Sequence, residues 1–200
     1  MNTIDELYTR LEDKFFQDTD TGALFCNVYV FQYPATDEYQ IREQIGQLQQ
    51  RLRRPNNNLD ILTMNVFEEF QAFLLQKRFG KYDSMLQYLL EKEEKGASIQ
   101  DTLIRNASSE DFFAWIDAAI QKHFENRNEL KKTFVFLYGF GQIYPYLRTN
   151  TFLSNFEKYN KYESCKLIVF YPGHASGNSF ELFDVLEDNH SYRSIQLINI

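Results

Sequence analysis

Cysteine, histidine, proline and glycine are all scarce in this chain. Two Cys and three His among 200 residues cannot build a disulfide framework, and none of them stands at the spacing of a zinc site. Four Pro and eight Gly leave no linker-rich or low-complexity segment. No apolar run approaches the ~20 residues that a membrane-crossing helix requires. Positive charge is also short: the net charge is −7, and acidic residues outnumber basic ones in both halves. That balance argues against direct DNA binding, which needs a cationic surface for the phosphates. The densest basic group, Arg51, Arg53 and Arg54, closes a predicted helix before Pro55, where cations meet the negative end of the helix dipole.

Aromatic side chains are abundant instead. Phe and Tyr number 19 and 13, enough apolar surface for one packed domain spanning residues 1–200. The amino terminus, MNTIDELYTRLEDKF, is charged and amphipathic, unlike a signal or transit peptide. Cys26 and Cys165 fall in or beside predicted strands and read as buried free thiols of a cytoplasmic protein.

The pattern alternates between strand and helix. Thr3 with Glu6 forms a capping box before Ile4, Leu7, Leu11 and Phe15. Ala23 to Phe31 reads as a strand, and Thr36 can cap a helix carrying Ile41, Ile45, Leu48 and Leu52. Leu59 to Met64 reads as the second strand, and Asn65 with Glu68 opens a helix that Gly80 ends. Further helices are predicted from about Asp83, near Ser98, and behind Ser108 and Asp111, the last with Phe112, Trp115, Ile116, Ile120 and Phe124 on one stripe. The segment TFVFLYGFGQIYPYLR, Thr133 to Arg148, begins as a third strand, and KLIVFYPG, Lys166 to Gly173, reads as a fourth. A helix from about Thr149 separates them. Asn178 and Glu181 are expected to cap a short helix around Phe180, Leu182, Phe183 and Leu186, and Arg193 to Ile198 a last strand.

Strands separated mostly by helices pair in parallel through right-handed crossovers. The expected fold is α/β: an open, mostly parallel sheet of about five strands, helices on both faces, and a helical insertion (about 67–130) between strands 2 and 3. Ligands and partners of such sheets usually lie at the carboxyl ends of the strands. Gly139, Gly141, Pro145, Pro172 and Gly173 are read there as turn residues.

The strand-end loops declare no chemistry. The turn from Gln32 to Asp37 lacks the Gly and Lys of a phosphate-binding loop. Gly139-Phe140-Gly141 is half of a dinucleotide fingerprint, with Tyr144 where the third glycine would stand. His174 follows Pro172-Gly173 with Ser176 and Ser179 nearby, but nothing selects an orienting acid for a triad. No metal or cofactor is expected, and no enzyme. Tyr144, Tyr146 and Arg148, with Tyr192 and Arg193, mix aromatic and cationic groups as interface hot spots do. Base stacking would use the same residues, so a degenerate nucleotide- or nucleic-acid-sensing domain without Walker motifs remains the alternative.

The segments GFGQIYPYLRTNTFLSNF, IVFYPG and SFELFDVLEDNHSYRSIQLI together resemble the BrxB family of bacteriophage exclusion (BREX) defence systems. The resemblance rests on a Gly-rich turn with Pro and Arg before a short helix, a strand reaching Pro-Gly, and an Asn-Tyr-Tyr-Arg-like motif near the carboxyl end. That last motif departs here to Asn189-His190-Ser191-Tyr192-Arg193, with an extra residue and a His. The resemblance implies a cytoplasmic, non-catalytic component of a multi-gene defence system. It further implies contact with the alkaline-phosphatase-superfamily protein PglZ and other BREX components.

Overall fold

A computed structural model describes residues 3–18, 28–57, 59–127, 131–156, 158–159, 165–176, 179–183, 185–188 and 195–196. Five strands run parallel: β1 (Val28–Tyr33), β2 (Leu59–Asn65), β3 (Lys132–Tyr138), β4 (Cys165–Ser176) and β7 (Ile195–Gln196), in the order β2-β3-β4-β1-β7. The fold is α/β. Cys26 lies outside the described residues.

Strand periodicity divides the core into two halves. Tyr29, Phe31 and Tyr33 of β1 face one side with Phe134, Phe136, Ile168 and Phe170, whereas Val28 and Val30 face the other with Val135, Leu137, Leu167 and Val169. Burial on both faces explains why these strands read as continuous apolar runs. The first side is covered by α1 (Ile4–Glu12), α2 (Lys14–Gln17) and α3 (Glu38–Leu52), the last contributing Ile41, Ile45, Leu48 and Leu52. Thr3 caps α1 in a reciprocal box with Glu6. No side chain caps α3; a single 3-10 turn, Ala35–Asp37, leads into it, and Thr36 hydrogen-bonds Asp37 instead.

The other side carries α4 (Val66–Gln76), α5 (Met85–Glu94), α6 (Gln100–Ala107) and α7 (Glu110–Asn126) between β2 and β3. These helices place Phe70, Phe73, Met85, Leu89, Phe112, Ile116 and Ile120 in the same apolar cluster as the sheet. Trp115 Nε1 donates to Glu69 Oε2 at 2.8 Å and ties α7 to α4. The cap of α7 is Ser109, one residue after the expected Ser108, whose backbone instead ends α6.

At the amino ends of the strands, polar groups meet beneath the end of α7. His123 Nε2 lies 2.6 Å from Asp60 Oδ2, and Arg127 Nη1 donates to Thr133 Oγ1 at 2.6 Å. Cys165 is a buried free thiol. Burial pushes its pKa up to about 12, against a smaller opposite pull from Arg127. On the opposite face Lys166 is only 2% exposed. Its Nζ sits 4.5 Å from the centroid of the Phe16 ring and 5.2 Å from that of Tyr29, so the cation is covered by π-faces. Burial lowers its pKa; Asp18 opposes the shift, and Arg10 and Lys132 reinforce it.

The carboxyl-terminal region departs from expectation. β4 does not turn at Pro172-Gly173 but runs on to Ser176. Its last residues pair antiparallel with β5 (Ser179–Leu182), which pairs with β6 (Leu186–Asp188). The capped helix expected around Phe180 to Leu186 is therefore a β-hairpin. Gly173 is needed for a different reason than a turn: a Cβ there would stand 2.0 Å from the Glu181 carbonyl oxygen on the returning strand.

Candidate functional site

The site is assembled from the ends of β2, β3 and β4. At the end of β2, Asn65 is 4% exposed, and all of its side-chain amide is engaged. Its Oδ1 accepts from the Phe67 and Glu68 amides at 3.0 and 3.4 Å, which caps α4. Its Nδ2 donates to Gln142 Oε1 at 2.9 Å and Glu68 Oε1 at 3.0 Å. The sequence marks Asn65 only as a helix cap; the link to Gln142 joins residues 77 positions apart and leaves no local signal.

Gly139 ends β3 in the left-handed region, φ 85°, and opens α8 (Phe140–Ile143). Gly141 lies inside that helix, where a Cβ would meet the Phe183 ring at 3.0 Å and Pro172 Cγ at 3.3 Å. Its smallness allows close packing against the hairpin rather than a turn. Phe183 itself has φ 57°, the only positive value at a non-glycine among the described residues, and its amide donates to the Pro172 carbonyl at 2.9 Å. A bulky residue held there stores backbone strain, of order 1–3 kcal/mol.

After α8 the chain passes through Tyr144 and the exposed Pro145, joined by a cis peptide bond. The Tyr144 ring meets the edge of Phe183 at 6.1 Å between centroids. Tyr146 turns half-buried into the core cluster, whereas Arg148 is exposed at the start of α9 (Thr149–Phe156), its carbonyl accepting from the Phe152 amide at 3.0 Å. Tyr144, Arg148, Thr149, Tyr171, Leu182 and Leu186 enclose a small cavity of about 10 Å³. Val185, at the hairpin tip, is 78% exposed. Tyr144 and Arg148 are thus brought together at the cavity beside the hairpin, which Tyr146 does not line; Tyr144 and Tyr146 both pack half-buried on the same core cluster. Tyr192 and Arg193 lie outside the described residues.

The neighbouring edge is acidic and aromatic. Tyr33 donates to Glu38 Oε2 at 2.6 Å, and burial, followed by that carboxylate, raises the Tyr33 pKa. Tyr138 is raised by partial burial and by Glu68, with Arg42 opposing. Asp37 and Glu38 stand at the start of α3, where their charge opposes a bound phosphate. Among the described residues no three His, Cys, Asp or Glu side chains are grouped to hold a metal ion. His174 is exposed on the distal part of β4.

The family model described as BREX protein BrxB matches residues 62–197, from β2 through the hairpin to β7. The chain belongs to the BrxB family. It is therefore a member of a family of BREX phage-defence components. A BREX protein BrxB from Bacillus cereus (strain H3081.97) is 26% identical over 196 residues, covering 98% of this chain and 96% of that relative. The likeness thus also takes in β1 and α1 to α3, outside the family match. No solved structure matches the chain. The family match contains every residue of the turn, cavity and hairpin just described.

Proposed function

We propose that this BrxB-family protein is a non-catalytic assembly component of a cytoplasmic BREX system. It holds its partner, a PglZ-like protein of the alkaline-phosphatase superfamily, on the surface formed by Tyr144, Arg148 and the β5–β6 hairpin. One observation carries the reading: an exposed aliphatic tip, Val185, and an exposed cation, Arg148, are presented on backbone fixed by the packing of Phe183 over Gly141. Rigid presentation of a few anchors is what an interface needs, because little ordering entropy is then lost on binding. The net charge of −7 favours a protein partner over nucleic acid, and no described helix is long and apolar enough to cross a membrane.

The test is co-purification with the PglZ-like protein, followed by sizing of the pair at micromolar concentration. A joint peak is expected, lost in Arg148→Glu and Val185→Asp variants that keep wild-type melting temperatures, with phage restriction lost in parallel. Separate elution of the wild-type pair, with restriction intact in both variants, would sink the proposal.

A further inference from the structure

A larger concavity lies on the other side of the sheet. Tyr144 and Phe183 pack on one face of it, whereas Ile41 and Leu48 of α3 pack on the opposite face. There the first turn of α1 and the length of α3 border a groove of about 400 Å³, in the size range of ligand-binding clefts. Its floor includes the buried Ile41 and Leu48. Its rim follows α3 from Asp37 to Arg51, about 21 Å at 1.5 Å per residue, which suits a linear occupant.

Gln40, Gln44 and Gln47 line the groove along one side of the helix, since positions i, i+4 and i+7 align. Among the described residues none of their side-chain amides has a hydrogen-bond partner. Gln49 of the same helix, outside the groove, donates to the Ile61 carbonyl at 3.0 Å. Each groove amide therefore has two N–H donors and a carbonyl acceptor to offer. Gln40 and Gln44 stand about 6 Å apart along the helix axis, and Gln47 about 4.5 Å further. In an extended peptide, alternate residues turn their backbone N–H and C=O to the same edge every ~6.6 Å. Flexible carboxamides at nearly that pitch can donate to one peptide carbonyl and accept from one peptide N–H after another.

The charges distinguish the two ends. Arg51 Nη1 pairs with Asp5 Oδ1 at 2.8 Å, and its guanidinium lies 3.9 Å from the centroid of the Tyr8 ring, so that end is fixed and electrically balanced. At the other end Asp37 accepts from Thr36 Oγ1 at 3.0 Å, and no cation among the described residues pairs with it. The unbalanced charge of the groove is negative, which opposes a phosphate backbone and favours a cationic group.

We infer that this groove holds an extended peptide segment of a protein partner, with its backbone paired to Gln40, Gln44 and Gln47 and a lysine or arginine against Asp37. The groove and the hairpin surface lie on opposite sides of the sheet, so one chain can hold two components at once. The groove's chemistry stands whether or not the hairpin binds the PglZ-like protein.

The test begins with an array of random hexapeptides probed with the full chain. The tightest binder is then titrated against isotopically labelled protein, beside the same sequence with alternate peptide N–H groups replaced by ester oxygens, and beside a short single-stranded oligonucleotide. The expected binder carries Lys or Arg at one end and saturates amide shifts at residues 37–51. The ester form should bind about tenfold more weakly, and so should the parent peptide to Gln44→Met, a variant of similar length and helix propensity. Asp37→Asn should remove the preference for a basic end. The inference is overturned if no hexapeptide saturates at millimolar concentration, if the shifts fall outside residues 37–51, or if the oligonucleotide saturates the same amides more tightly. Equal affinity of the ester form, or unchanged affinity in a folded Gln44→Met variant, overturns it as well, because the backbone would then not be what the glutamines read.

Discussion

Asn65 and Gly139 share one volume: a Cβ on residue 139 would stand 2.1 Å from Asn65 Oδ1. The same Asn65 oxygen caps α4, and its amide holds Gln142. The ends of β2 and β3, and the helices that follow them, are therefore fixed by one side chain whose place exists because residue 139 has none.

Gly139→Ala should be markedly destabilising. Placing a Cβ in the left-handed region costs about 1–2 kcal/mol, and displacing Asn65 adds the loss of a buried hydrogen-bonded cap, about 1 kcal/mol or more. Gly80 is the control, since it shares a positive φ, 55°, but a Cβ there meets nothing within 4 Å. Urea unfolding should show Gly139→Ala losing clearly more stability than Gly80→Ala; equal losses would remove the steric argument.

Lys166 should weaken the fold at neutral pH. Burial lowers its pKa in the folded chain, so the unfolded chain holds the proton more tightly. The penalty is full below the lowered folded pKa. It shrinks as pH rises from there toward the ordinary lysine value, about 10.4. Lys166→Met keeps the packing on Phe16 and removes the charge. The variant is expected to equal or exceed wild-type stability at pH 7, with the difference narrowing as pH approaches the ordinary lysine value. A difference that grows with pH would contradict the sign.

Cys165 should be chemically silent. With its pKa pushed up to about 12 by burial, almost no thiolate is present at pH 8. In a Cys26→Ser variant, a disulfide reagent should label nothing in the native protein and Cys165 in full once urea is added. Rapid labelling of the native variant would show that the sheet opens there.

His123 and Asp60 should be energetically coupled. They lie 2.6 Å apart with both side chains mostly buried, and Asp60 Oδ2 also receives Thr133 Oγ1 at 3.4 Å. A double-mutant cycle with His123→Ala and Asp60→Ala should return about 1 kcal/mol of coupling. Additive effects would make the contact incidental.

The sheet was legible because its strands are buried on both faces and its helices carry ordinary caps, as at Thr3 and Asn65. The hairpin was not. Phe180, Leu182, Phe183 and Leu186 fit a short helical stripe as well as two strands, and β5 and β6, of four and three residues, are too brief to establish alternation. Pro172-Gly173 read as a strand end because both residues usually interrupt strands; here the glycine instead lets another backbone approach. Tyr144 and Arg148 were visible as an aromatic and cationic pair. Their apposition to Leu182, Phe183 and Leu186 depends on contacts with residues more than thirty positions away in the chain, which no local pattern encodes.

The length of β4 has a mechanical consequence. Its first half is hydrogen-bonded between β3 and β1, and its second half is the root of the hairpin that carries Val185. A load applied to the hairpin along the β4 axis is thus transmitted to the middle of the sheet and resisted in shear by both flanking ladders at once, instead of peeling an edge bond by bond. The hairpin is anchored as a handle on a strand that is paired along both of its edges.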